Sequence, residues 1–222
     1  FLFCVVLQGL RKKKPQEKRF EGQWKNDKFH GKGVLSYSND KYKYSGEWVD
    51  GEKHGFGELS YSNGDKYSGE FHSDIIHGEG TYIWSNGDEY KGLWDMSQRH
   101  GEGTLTMANG FKYQGGWKYD KYHNKGTCYY LNGDRFSGNW INGKKDGLGT
   151  YYESCKNNYV QSHCKKYDAE WTDGKIIKFG SVDNYDNPNY LNQLESYVNK
   201  IEIQIKNKKY IRENRSKLKS KL

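Results

Sequence analysis

A 23-residue period governs most of this chain and limits what it can fold into more than any other feature. Each unit opens on an aromatic-x-Gly-x-aromatic segment: Phe20-Glu-Gly-Gln-Trp24, Tyr44-Ser-Gly-Glu-Trp48, Tyr67-Ser-Gly-Glu-Phe71, Tyr90-Lys-Gly-Leu-Trp94, Tyr113-Gln-Gly-Gly-Trp117 and Phe136-Ser-Gly-Asn-Trp140. A seventh, Tyr167-Asp-Ala-Glu-Trp171, carries Ala169 where glycine is expected. The first aromatics are 24, 23, 23, 23, 23 and 31 residues apart. The 24 reflects one extra residue near Asn39–Tyr44, and the 31 an eight-residue insertion around Cys155–Lys166. A fixed period of this length marks a repeat architecture, in which no unit can bury its apolar surface alone.

Two further elements keep phase. One is His30-Gly-Lys-Gly33, His54-Gly-Phe-Gly57, His77-Gly-Glu-Gly80 and His100-Gly-Glu-Gly103, weakening to His123-Asn-Lys-Gly126 and Asp146-Gly-Leu-Gly149. The other closes the unit: Asn63-Gly-Asp65, Asn86-Gly-Asp88, Asn109-Gly110 and Asn132-Gly-Asp134. Tyr67, Gly69 and Phe71 share one face by the two-residue period of a strand, and so do Gly78, Gly80, Tyr82 and Trp84. Asn-Gly predicts a type I′ turn, whose central residues both need positive φ. Each unit therefore reads as a β-hairpin to which the next adds edge to edge. Helical periodicity is absent from residues 20–180.

Composition says how such a sheet is held. Apolar residues make up only 33% of the chain and mean hydropathy is −1.14, yet aromatics reach 16%, with Tyr 20 and Trp 7. Disordered chains are poor in aromatics, so the apolar surface here is carried by rings and not by an aliphatic core. No run approaches the ~20 apolar residues of a membrane span. Glycine inside a strand marks close approach by another group. Tyr-x-Gly-x-Trp beside Gly-x-Gly-x-Tyr bares backbone on which a ring can lie flat, so one layer can bury aromatic area without a second.

With these pieces assembled, the pattern Tyr-x-Gly-x-Trp, variable loop, His-Gly-x-Gly, aromatic, Asn-Gly-Asp closely resembles the MORN (membrane occupation and recognition nexus) repeat. The resemblance covers roughly residues 20–180. It implies an all-β repeat fold, an elongated, single-layer antiparallel sheet of about seven stacked β-hairpins with repeats starting near 20, 44, 67, 90, 113, 136 and a degenerate one at 167. Asp40 at a turn glycine, Asn124 and Ala169 depart from the pattern and bring the regularity of their hairpins into question.

The ends differ from the body. Residues 1–19 carry a net +5 and residues 200–222 a net +7, which leaves −4 of the total +8 for residues 20–199. A basic folded surface for nucleic acid is therefore not expected, and no nucleic-acid partner is expected. The N-terminal segment, 1–19, opens with Phe1-Leu-Phe-Cys-Val-Val-Leu7 and no initiator Met. It reads as an edge strand or flexible start, as a fragment of a longer chain, or as a shallow membrane anchor with a polybasic stop. Residues 181–222 form a linker followed by a basic amphipathic C-terminal α-helix, with Leu191, Leu194, Val198, Ile201 and Ile205 on one stripe. That helix can cap the last hairpin, meet a partner helix or a second copy, or lie on anionic lipid. Cys4, Cys128, Cys155 and Cys164 are few and irregularly spaced, as reduced intracellular thiols are.

Catalytic chemistry finds no foothold. Histidines one repeat apart are roughly 9–10 Å from each other, too far for one zinc with bonds of about 2 Å. Cys155, His163 and Cys164 supply at most three ligands at an unusual spacing. Gly-Glu-Gly-Thr at Gly78–Thr81 and Gly101–Thr104 lacks the phosphate-loop fingerprint and recurs with the period. Asp88 and Glu89 fall at a turn with no pocket to raise a pKa. The expectation is no enzyme, no metal and no cofactor.

A sheet with one aromatic-lined face offers a long surface to a partner, and Tyr and Trp are favoured anchors. The candidate face is Tyr37, Trp48, Tyr61, Tyr82, Trp84, Trp94, Met107, Trp117 and Tyr130; each also fits ring-on-glycine packing within the sheet. The resemblance implies a cytoplasmic scaffold in cytoskeletal, ciliary or flagellar, or membrane-junction assemblies, binding protein partners and often dimeric. A second reading is a peripheral membrane protein binding anionic phospholipid through its tails. The candidate contacts are Arg11, Lys12, Lys13, Lys14, Lys206, Lys208, Lys209, Arg212, Arg215, Lys217, Lys219 and Lys221. A third is the regulatory part of a truncated phosphoinositide kinase or SET-domain methyltransferase, since MORN repeats resemble those fused to such enzymes.

Overall fold

The computed structural model describes residues 18–37, 42–154 and 166–179. All regular structure within them is strand: β1 (Lys18–Lys25), β2 (Lys28–Tyr37), β3 (Tyr42–Val49), β4 (Glu52–Tyr61), β5 (Lys66–His72), β6 (Ile75–Ile83) and β7 (Glu89–Asp95), then β8 (Gln98–Thr106), β9 (Lys112–Lys118), β10 (Lys121–Tyr129), β11 (Arg135–Ile141), β12 (Lys144–Tyr152), β13 (Lys166–Thr172) and β14 (Lys175–Phe179). They form one 14-stranded antiparallel sheet in sequence order. The chain divides into two compact units, one of residues 1–86 with 94–97, the other of 87–93 with 98–222. The expected C-terminal helix and the position of Asp40 lie outside the described residues.

In the first unit, Gly46 pairs with Gly57 across β3 and β4, and Gly69 with Gly80 across β5 and β6. The ring of Tyr67 covers the second pair: a methyl placed on Gly80 would lie 2.6 Å from Tyr67 Cε2 and Cζ, far inside van der Waals contact. Tyr44 sits on Gly46 and Gly57 in the same way. Each tyrosine hydroxyl then reaches back to its own strand, donating to the carbonyl of Glu47 or Glu70 at 3.0 Å. The second unit repeats this with Tyr90 over Gly92 and Gly103 and Phe136 over Gly138 and Gly149. These rings are 0–1% exposed in a fold of one layer. Each removes roughly 150–250 Å² from water, at about 25 cal/mol per Å², which is several kcal/mol per repeat before chain entropy.

The turns differ from the sequence expectation. Positive φ at two successive residues occurs not at the unit-closing Asn63-Gly64, Asn86-Gly87, Asn109-Gly110 or Asn132-Gly133 but at the other hairpin tips, in Asn26-Asp27, Asp50-Gly51, Ser73-Asp74, Met96-Ser97, Tyr119-Asp120, Asn142-Gly143 and Asp173-Gly174. At Asn63-Gly64 only the glycine is left-handed, at φ +93°. Gly64 N–H donates to Tyr61 O at 3.0 Å and Tyr61 N–H to Asp65 O at 2.9 Å, a type I turn closed by a glycine bulge. Asn63 is used for its side chain, which accepts the Asp65 N–H at 3.0 Å.

Two departures from the repeat pattern are accommodated by their hairpins. Asn124, replacing a left-handed glycine, takes φ +57°, a region asparagine tolerates, and its hairpin keeps its pairing. Ala169 also keeps strand pairing, to Gly149 and Phe179. The hydroxyl of Tyr167 bonds Glu153 Oε1 at 3.1 Å, and Tyr44, Tyr67, Tyr90 and Tyr113 each bond a backbone carbonyl three residues on.

Candidate functional site

Trp48, Trp94, Trp117 and Trp140 of the opening motif are ladder rungs. In the first unit the indole N–H of Trp48 donates to Gly33 O and that of Trp94 to Gly80 O, both at 3.2 Å. In the second, Trp117 donates to Gly103 O at 3.1 Å and Trp140 to Gly126 O at 3.2 Å. Each bond ties a hairpin to the one before it. The rings meet the seated tyrosines edge-on, as in Tyr44–Trp48 (5.0 Å, 88°) and Tyr113–Trp117 (5.3 Å, 88°). Of the nine face candidates, Trp48, Trp94, Trp117 and Tyr130 are buried at 3–7% exposure. Tyr37, Tyr61, Tyr82, Trp84 and Met107 are half-buried.

The first unit brings four of these five into a partly open row beside the turns. Tyr37 stacks obliquely on Tyr42 at 4.7 Å, with their hydroxyls 3.0 Å apart. Tyr82 lies 6.4 Å from Tyr61, 4.7 Å from Trp84 and 6.1 Å from Trp94, so the open rings rest on the buried ladder. Asp65 anchors the row by accepting the Tyr82 hydroxyl at 3.0 Å and the Ser85 N–H at 2.8 Å. Burial pushes the Asp65 carboxyl up, but the bonds from Ser85, Asn63 and Tyr82 outweigh it and hold the group below its ordinary value. Burial drives the Tyr61 and Tyr82 hydroxyls upward, with the Asp65 charge adding to it. In the second unit the matching Asp134 is 3% exposed and binds the Tyr151 hydroxyl and the Ser154 N–H.

A further series escaped the sequence reading although it keeps the same phase. The residues are Phe29, Lys53, Ile76, Arg99, Tyr122 and Lys145, apolar and basic in alternation. Phe29 stacks on Phe20 and Tyr122 on Tyr113, both at 3.8 Å. Lys53 Nζ stands 5.8 Å from the Tyr44 ring, the Arg99 guanidinium 4.4 Å from Trp117, and Lys145 Nζ 4.6 Å from Phe136. Cations substitute for rings here because a ring face attracts positive charge. Lys53 and Arg99 are neutralised by Asp74 and Asp120 of the next tip. Burial raises the Asp74 carboxyl, but Lys53 overrides it and the carboxyl ends below its ordinary value.

The remaining sequence candidates take structural positions or fall outside the described residues. His30 and His77 face carboxylates of the next tip, Asp50 at 3.8 Å and Asp95 at 3.5 Å. Among the described residues, no group of three or more His, Cys, Asp or Glu side chains converges to hold a metal ion. An open groove of about 420 Å³ in the second unit is bordered by Lys125, Ser137, Asn139, Leu148, Thr150 and Asp168. Among the described residues, no helix is long and apolar enough to cross a membrane. Cys155, His163, Cys164 and every candidate lipid contact, Arg11–Lys14 and Lys206–Lys221, lie outside the described residues.

The family model of the MORN repeat matches residues 20–41, 44–66, 67–89, 90–112, 113–135 and 136–153. The hairpin of β13 and β14 lies beyond the matched residues. No curated protein matches the chain in sequence. Among solved structures the chain is similar to the SAS-4 (dCPAP) TCP domain of Drosophila melanogaster, solved in complex with a proline-rich motif of Ana2 (dSTIL). That similarity has 14% sequence identity and a TM-score of 0.39, over 74% of this chain and 90% of that one.

Proposed function

The chain belongs to the MORN repeat family, and from that premise we propose that it is a non-catalytic scaffold that binds a protein partner, a helix or peptide, along its half-open aromatic row. The observation that carries the reading is the division of labour among the rings. Trp48 and Trp94 are buried and bonded to glycine carbonyls, so they hold the sheet. Tyr61, Tyr82 and Trp84 keep exposed area while resting on that rigid support. Preorganised rings with a polar tip bind at low entropic cost. A cytoplasmic site in a cytoskeletal, ciliary or membrane-junction assembly accords with this role.

Proximity labelling in cells, comparing the native chain with a Tyr61→Ala, Trp84→Ala double variant, tests the reading. The expected result is loss of the labelled partner set with the strand circular-dichroism signature intact. An unchanged partner set from the folded double variant would overturn it.

A further inference from the structure

The repeat histidines stand one hairpin apart, too widely for one metal ion. His72 breaks that series. It occupies the last position of β5, outside the His-Gly motif, and lies between two members of it. Its ring centroid is 4.8 Å from that of His54 at a 55° tilt, and 6.4 Å from that of His77. All three belong to the first unit. His72 is exposed and His54 half-buried, so solvent and ions reach the pair.

Two imidazoles on one tetrahedral ion have bonds of about 2 Å, with each ring centre roughly 1 Å beyond its nitrogen, which places the centroids about 5 Å apart. The His54–His72 separation fits this, while the His72–His77 separation would require a nearly linear arrangement. Asp95 Oδ1, 3.5 Å from His77 Nδ1, engages the third imidazole. The competing contact at His54, from Ser73 N–H to Nδ1, is 3.5 Å long and costs little to give up.

We propose that His54 and His72 form a two-imidazole site for a borderline divalent transition cation such as Zn²⁺, Ni²⁺ or Cu²⁺, with water completing the shell. Neutral imidazole suits these ions, whereas calcium and magnesium require oxygen donors. A cation held there bridges β4 of one repeat to β5 of the next and clips consecutive hairpins at their tips. Its water positions remain open to a donor from elsewhere.

The test is calorimetric titration of the chelator-treated full chain with ZnCl₂ and, separately, NiCl₂, followed by thermal melts. The native chain is expected to bind one more ion than His72→Gln and to gain Tm with zinc, a gain His72→Gln loses. Where one ligand remains, affinity at this site drops by about tenfold or more, because chelation is lost. His54→Gln should behave alike, and His77→Gln should stay within about twofold of the native chain. Native stoichiometry and affinity in folded His72→Gln would overturn the proposal, as would absence of saturable binding to the native chain. An equal loss in His77→Gln would overturn the assignment of the pair.

Discussion

A methyl group is the smallest change that separates a seated ring from an unseated one. In Gly80→Ala the new Cβ would overlap the Tyr67 ring, and neither strand can retreat without breaking its pairing. Overpacking of this kind costs about 1–3 kcal/mol, so the urea midpoint should fall by the corresponding amount. The reverse change, Ala169→Gly, relieves no clash, because the methyl of Ala169 is already accommodated with pairing kept on both sides. It should cost only the backbone entropy of glycine, about 0.5–1 kcal/mol. A Gly80→Ala variant as stable as the native chain would mean that the rings do not depend on bare backbone. The same burial sets a pH limit. Desolvation raises the hydroxyls of Tyr44, Tyr67, Tyr90 and Tyr113 above the ordinary 10.0. The unfolded chain therefore loses these protons first as pH rises. Their stabilisation is fully present below about pH 10 and is lost as pH climbs toward the raised folded values. The share of tyrosinate absorbance that comes from the buried rings should appear together with loss of the strand signal. Ionisation of all tyrosines near pH 10 in a chain that stays folded would contradict this.

At the scale of hairpins, most of the fold was legible because ring, glycine and turn recur in phase, and side-chain alternation in a strand leaves little choice of face. The turn types were not legible. Asn-Gly suits a type I′ turn, but with Ser62 before it and Asp65 after it the segment closes as a type I turn with a bulge, using the asparagine side chain. Met96-Ser97 and Tyr119-Asp120 lack glycine and asparagine yet are left-handed, because tip-to-hairpin bonds such as Ser97 N–H to Ile76 O at 2.9 Å hold them there. Propensity was overridden by packing against the preceding hairpin. The residual strain is a design opportunity: Met96→Asn, at a residue 75% exposed, should stabilise the chain by about 0.5–1 kcal/mol, read as a higher melting temperature. At the opposite end of the hairpin, Asp65→Ala should cost about 1 kcal/mol, because the Ser85 N–H and the Tyr82 hydroxyl lose their acceptor. The carboxyls of Asp65 and Asp74 lie below the ordinary 3.8 when folded. Their contribution is present above about pH 4 and is lost as pH falls through those depressed values. The acid limb of the stability profile should flatten in Asp65→Ala. The candidate face was half legible for a related reason: spacing puts Trp48 and Trp84 on rings' sides of strands alike, but the choice of Gly33 O as the partner of Trp48 is made by the neighbouring hairpin and leaves no mark in the spacing.

For the whole chain, translation by one repeat should be close to a symmetry of the energetics. Asp65 Oδ1 accepts the Ser85 N–H and Asp88 Oδ1 the Ala108 N–H, both at 2.8 Å and both twenty residues on. Tyr67 and Tyr90 occupy equivalent glycine seats. Excision of residues 67–89 therefore joins Lys66 to Tyr90 without altering which face any later side chain takes. Asp65 would inherit Ala108 as its partner, and Trp94 would meet Gly57 where Phe71, lacking an N–H, now stands. The excised chain should keep its strand signature and a cooperative melt, with stability lowered by about one repeat's share. Removing residues 67–77 instead shifts the later chain by 11 residues, not a whole 23-residue period, so that Tyr90 takes the place of Glu79 and Lys91 that of Gly80 on a glycine seat. That variant should lose the cooperative transition altogether. Equal tolerance of the two deletions would show that the period is only a sequence habit; unequal tolerance would make the repeat the unit in which this molecule is stabilised.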